Sequence, residues 1–352
     1  MSSPSQSGLS SQYLEHLERG LGVYEERTGR RPSFVDLDVS QQEVRALYDQ
    51  FRSRPWPRTL GATSAEWLQL RLGLKQVLRE RLDRPWLDQL RARCVDEGWF
   101  LHVEPLPAPV YRQELEGLDT SPWRAVHAYV GRSADPVLEA AALDSAMPPH
   151  QAHVELEQPA LASDSQRLGE LLGYPPCCTA AFCQWHEKLH DNWKPIAAAA
   201  GASQRFEPLL NNLCLGAFHL IAWFPCRYDC PASLAIARRL AQTLSKTRPA
   251  QFTAARRPLL LPRIYLDERR QVIFDGCVVD GVAHYQRAFS PFALDRQTSS
   301  AAYEWVFYAD VVAKVRTGNR AWLEDDVLVV ARDQTETARV PTKGAIWLPF
   351  GR

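Results

Sequence analysis

Apolar positions recur at helical spacing through the first hundred residues. Tyr13, Leu14, Leu17, Leu21 and Tyr24 mark one amphipathic helix. A second is expected from Ser40, carrying Val44, Leu47, Tyr48 and Phe51. A third opens at Thr63-Ser64-Ala65-Glu66, which matches a capping box, and runs through Trp67, Leu70, Leu74, Val77 and Leu78. Arg84-Pro85-Trp86 breaks it, and Leu87 to Val95 makes one more short helix.

The period then changes. Trp99 to Val103, Val110-Tyr111 and Ala125 to Val130 read as short strands separated by Pro and Gly, with a helix over 136–145 and a strand at His153 to Leu156. Residues 166–248 return to helical spacing. A helix over Gln166 to Gly173 ends at Gly173-Tyr174-Pro175-Pro176, and Pro176 suits the first position of the next, which reaches about His190. Another is expected from Phe206 to Phe224, closed by Pro225, and another from Ala232 to Lys246 after Pro231. The last hundred residues are strand-rich. Gln271 to Val279 leads to a hairpin signal at Asp280-Gly281 and on to Val282 to Tyr285. A helix over Ala301 to Val315 precedes Gly318, and Val327 to Ala331 and Ala345 to Leu348 read as strands. The expectation is an α+β protein with a disordered tail over 1–9 and a helical region over 10–98. A small α/β element follows over 99–165, then a helical cysteine-rich domain over 166–248 and a strand-rich region over 249–352.

Composition adds limits. The chain has 352 residues, 45% hydrophobic and 23% charged, with 41 basic and 41 acidic side chains. A formal charge of zero argues against a broad electrostatic grip on nucleic acid or an anionic membrane, so neither is expected as a partner. The start lacks a basic segment followed by an apolar core, and the longest apolar run, Leu213 to Pro225, is too short to span a bilayer. A cytoplasmic protein is expected. In a reducing compartment, clustered cysteines read as a metal or catalytic site rather than a disulfide framework.

Five of the eight cysteines fall in two groups, Pro176-Cys177-Cys178-x4-Cys183 and Pro225-Cys226-x3-Cys230-Pro231. Both sit at helix starts, where unpaired N–H groups and the helix dipole favour thiolates. Cys177, Cys178, Cys226 and Cys230 offer four sulfurs, which suit tetrahedral zinc or an iron–sulfur cluster. A rival set is Cys183, His186 and His190, which fall within roughly 60° of one helix face. Cys94, Cys214 and Cys277 lie in apolar stretches and read as core residues. His219, seven residues before Cys226, is a candidate ligand or proton-transfer group. Arg227 and Asp229, in the turn between two cysteines, are candidates for handling a substrate, as are Asn211 and Asn212.

Leu172-Gly173-Tyr174-Pro175-Pro176-Cys177-Cys178 with Phe182, then His219 and Pro225-Cys226-x3-Cys230, resembles the cysteine-rich prokaryotic family catalogued as domain of unknown function 483, over about residues 166–245. That resemblance implies a shared cysteine site and no particular reaction. Phosphate-loop, dinucleotide-binding, serine-hydrolase and zinc-protease motifs are missing. The expected function is an iron–sulfur enzyme acting on a small molecule by sulfur transfer, dehydration or redox, with His219, Arg227 and Asp229 as catalytic residues. The alternatives are a zinc-stabilised binding or accessory protein and a metal-free thiol redox protein.

Overall fold

Val77–Asp83 reads Val-Leu-Arg-Glu-Arg-Leu-Asp, without strict alternation, and it forms a strand where a continued helix is expected from the sequence. The preceding helix, α1 (Glu66–Arg71), stops after a turn and a half because Gly73 takes φ +67. Ala65 stands at its start and supplies no capping side chain, while Thr63 and Ser64 of the expected capping box lie outside the described residues. The computed structural model describes residues 65–83, 87–105, 125–146, 159–185, 193–212, 219–266, 271–289, 311–342 and 344–351. The tail over 1–9, the helices expected before residue 63 and the strands at Val110-Tyr111 and His153 to Leu156 lie outside the described residues, as do His186, His190 and Cys214. The described residues contain helices and two antiparallel sheets, an α+β arrangement, and the chain divides into two compact units.

The unit that holds Gln50–Leu261 and Ile346–Arg352 is built on a three-stranded sheet. Its strands are β1 (Val77–Asp83), β2 (Phe100–Pro105) and β3 (Ala125–Gly131), with β3 in the centre and both neighbours antiparallel to it. The period of two along β3 loads its faces differently. Val126, Ala128 and Val130 join Leu78 against Trp67, Leu70 and the helix α2 (Leu87–Glu97), whose Leu87, Leu90 and Cys94 point inward. Tyr129 and Val77 face the helices α3 (Ala134–Ala146) and α4 (Pro159–Leu171) through Val137, Ala140, Ala141, Leu168 and Leu171. Each fully buried Leu here contributes about 1.5–3 kcal/mol of transfer free energy. Helices α5 (Pro176–Trp185), α6 (Trp193–Ala202), α7 (Pro231–Thr247) and α8 (Pro249–Arg256) also belong to this unit.

Charged groups also enter the unit. The Lys75 ammonium is fully buried and donates to Glu66 at 2.5 Å. Burial, then the neighbouring Glu66 carboxylate, push the Glu80 carboxyl up to about 8. The folded chain thus keeps a proton that the unfolded chain loses near pH 4.5. The native state binds more protons between those two values, so stability falls as pH rises through that window and levels off above it. Urea midpoints at pH 5 and pH 8.5 check this: the midpoint should drop for the native chain, and the drop should shrink in Glu80→Gln.

The second unit includes Pro262–Ala345. Its strands β4 (Arg263–Tyr265), β5 (Gln271–Val279), β6 (Val282–Phe289), β7 (Arg320–Glu324), β8 (Val327–Arg332) and β9 (Thr335–Pro341) lie side by side in chain order, each antiparallel to the next. The expected hairpin forms at Asp280-Gly281, both with positive φ. Cys277, expected in the core, is exposed on β5, because that end of the strand alternates and its side chain falls on the open face. Residues 311–316 are helical and end before Gly318, as the sequence indicates.

Candidate metal centre

Pro175-Pro176 sets the first half of the site. The N–H groups of Cys178 and Thr179 both bond to the Pro175 carbonyl, so α5 begins on Pro176 and places Cys177 and Cys178 in its first turn. Upstream, α4 closes with Tyr174 N–H donating to the Gly169 carbonyl, and Gly173 takes φ +73. A side chain at Gly173 would strike the Leu74 carbonyl at 2.5 Å, so the chain reaches Pro175 only through a glycine.

The second half comes from a segment expected to be helical. Residues 219–224 are not helix. Two of their carbonyls are taken up at the start of α1 and on it: Ala65 N–H donates to the His219 carbonyl at 3.1 Å, and the buried Gln69 amide donates to the Leu220 carbonyl at 2.9 Å. Pro208–Leu210 forms a short 3-10 turn rather than the start of a long helix. The chain then enters the turn Arg227 to Cys230, closed by Cys230 N–H on the Arg227 carbonyl at 3.0 Å, and α7 starts at Pro231.

Two helix starts therefore meet, and the four cysteines Cys177, Cys178, Cys226 and Cys230 converge with all sulfurs within 4.8 Å of one another. Cys230 Sγ is 3.7 Å from both Cys177 Sγ and Cys178 Sγ, and those two are 4.0 Å apart. At a zinc–sulfur distance of about 2.3 Å a tetrahedron has edges of roughly 3.8 Å, so these residues fit a single ion. Cys178 and Cys230 are buried, Cys226 is half-buried and Cys177 is exposed.

Ser233, in the first turn of α7, was not singled out from the sequence. Its hydroxyl lies 3.1 Å from Cys178 Sγ and accepts from the Trp223 indole N–H at 3.0 Å. The Cys226 backbone N–H also points at Cys178 Sγ, at 3.4 Å. The signal available in the sequence was position: Ser233 stands three residues after Cys230, where a helix start brings side chains back to the residue before the first turn. Trp223 packs on Tyr174 with ring centres 5.2 Å apart, and Phe182 stacks on Phe224.

Without an ion Cys178, Cys226 and Cys230 share protons unevenly. Cys230 is held down to about 4, first by the Cys178 thiol that donates to it; burial opposes this, and the Ser233 N–H and hydroxyl add to it. Cys178 is raised well above the thiol range, by that same bond to Cys230 and by burial. Cys226 is pushed up to about 12 by burial and the Cys230 charge. Cys230 is the thiolate, and an arriving cation displaces protons from its neighbours.

The other candidates sit differently. Asp229 is ion-paired to Arg227 at 3.2 Å and accepts from the Gln204 N–H at 3.3 Å, so it ties the turn to residue 204. Tyr228 is buried, its N–H on the Ser203 hydroxyl at 2.6 Å and its ring against Phe206 and Phe350. Asn211 donates to the Leu259 carbonyl and Asn212 to the Trp223 carbonyl, so both amides brace backbone. His219 is half-buried in the irregular segment. Cys183 is half-buried on α5, and burial raises its thiol. Cys94 is buried in the core, as its apolar setting indicates. Comparison with protein-family models, curated proteins and solved structures gave no match.

Proposed function

We propose that this chain holds one tetrahedrally coordinated metal ion, zinc by preference, on Cys177, Cys178, Cys226 and Cys230. The ion crosslinks the starts of α5 and α7. The observation that carries this reading is the convergence of four sulfurs within 4.8 Å. Four protein ligands fill a tetrahedron and leave no open position, which is the pattern of a structural site. A cage of four thiolates selects zinc or iron. An iron–sulfur cluster hangs its thiolates on separate irons and spreads them further apart than one ion does.

The exposure of Cys177 favours a second reading, in which a small molecule displaces that thiolate and reaches the metal. The sulfur-transfer, dehydration or redox chemistry expected from the sequence would then proceed on the vacated position, with Arg227, Asp229 and His219 on the surrounding segment.

Iron, zinc and acid-labile sulfide should be measured, with a visible spectrum, on full-length protein purified without oxygen. We expect one zinc per chain and no sulfide. Iron with matching sulfide would replace the single ion by a cluster. Absence of any metal would return the cysteines to thiol redox chemistry.

A further inference from the structure

Charge is unevenly distributed in this balanced chain. Between Pro231 and Leu261 there are six basic residues (Arg238, Arg239, Lys246, Arg248, Arg256 and Arg257) and no Asp or Glu. The first five are exposed along α7, α8 and the single residue, Arg248, that joins them. Arg238, Lys246 and Arg256 have no ion pair among the described residues. Arg238, Gln242 and Lys246 follow one another at four-residue steps, so they form one ridge of α7 about 12 Å long. Beside it, Arg238 and Arg256 flank a groove of about 190 Å³ with Leu209, Ala241 and Phe252 along it. The positive field extends to α2, where burial and then the Arg71 and Arg248 charges lower the Arg93 guanidinium.

We infer that the α7–α8 face binds the sugar–phosphate backbone of a nucleic-acid strand. Five of the six cations are arginines, whose forked donors match phosphate oxygens. They are strung along two helices rather than gathered round one point, which suits a polyanion better than a single small anion. A lipid surface fits less well. A membrane-bound basic helix must insert its apolar stripe, and that of α7 (Leu234, Ala237, Leu240 and Leu244) is already buried in the protein core. This inference departs from the expectation drawn from the whole-chain charge, because a net sum hides local segregation. It rests on α7 and α8 alone, and holds whichever metal the cysteines carry.

The test is fluorescence anisotropy of the full-length chain with a fluorescein-labelled 20-nucleotide RNA of mixed sequence and a labelled 20-base-pair DNA duplex, in 50 and 200 mM NaCl. Micromolar binding of either at the lower salt is expected, and four neutralised phosphates on the single strand weaken it about 50-fold at the higher. Arg238→Gln with Arg256→Gln should weaken binding at least tenfold with circular dichroism and metal content unchanged. Arg287→Gln with Arg339→Gln, in the other unit, should leave it as it was. Any of four outcomes overturns the inference: no binding of either nucleic acid in 50 mM NaCl, unaltered binding by the first pair, equal loss in both pairs, or binding of phosphatidylserine vesicles or poly-glutamate but not nucleic acid.

Discussion

Cys230→Ser is expected to strip the chain of its metal and to lower its thermal midpoint. Cys230 is the pivot of the site: its sulfur stands 3.7 Å from two of the other three, and the Cys178 thiol that donates to it holds it below the ordinary thiol range. A serine hydroxyl is a far harder donor and does not ionise at neutral pH, so three thiolates remain to hold a soft ion. The loss is also mechanical. An ion held there would close a loop of 53 residues between Cys177 and Cys230, and a crosslink over such a loop constrains the unfolded chain by about 4 kcal/mol. Metal analysis and thermal unfolding read both effects. Cys277→Ser, on the exposed side of β5, should change neither. A Cys230→Ser chain that keeps a full equivalent of metal would sink the four-cysteine site.

Lys75→Met is expected to destabilise the native chain by about 3–5 kcal/mol, the usual cost of removing one partner from a buried pair. The Lys75 ammonium has no exposed surface and lies on Glu66, with Glu80 close enough to feel both charges. Take away the lysine and the Glu66 and Glu80 carboxyl groups, the first buried and the second half-buried, face each other with one cation fewer. Because either carboxyl can escape by protonating, the deficit should be smallest at pH 5 and grow toward pH 8. Chemical denaturation across that range measures it; a deficit that does not vary with pH would mean that Lys75 acts through packing alone. The consequence reaches the metal site, since Lys75 packs under Gly173 and the turn that feeds Pro175-Pro176.

The site was legible in the sequence because proline and cysteine act locally. Pro176 and Pro231 each start a helix, and cysteines beside a helix start are read from spacing alone. The hairpin at Asp280-Gly281 was legible from its turn residues, and the helices over 87–97 and 134–146 from the spacing of their apolar residues. What failed was continuity. Val77 and Leu78 fit a helical extension of α1 and a strand equally well, and only pairing with β3 decides between them. Residues 219–224 have helical composition, but the side chain of Gln69 and the backbone of Ala65 claim their carbonyls from more than a hundred residues away. Asn211 and Asn212 donate to backbone carbonyls and Asp229 accepts from the Gln204 N–H, partners that exist only once the chain has folded. Ser233 escaped notice because a serine in a first turn is commonplace, and its place beside Cys178 exists only once two helices meet.

Gly173 bears on how further chains with this centre can be recognised. It binds nothing and carries no charge, yet a Cβ at that position would overlap the Leu74 carbonyl, and its backbone adopts a conformation that other residues resist. A pattern written from cysteine spacing alone would gather unrelated thiol-rich helices. One that also demands the glycine three residues before the first helical proline would select chains able to make the same approach to Pro175-Pro176. In those chains the glycine should tolerate replacement less well than the exposed Cys177 itself.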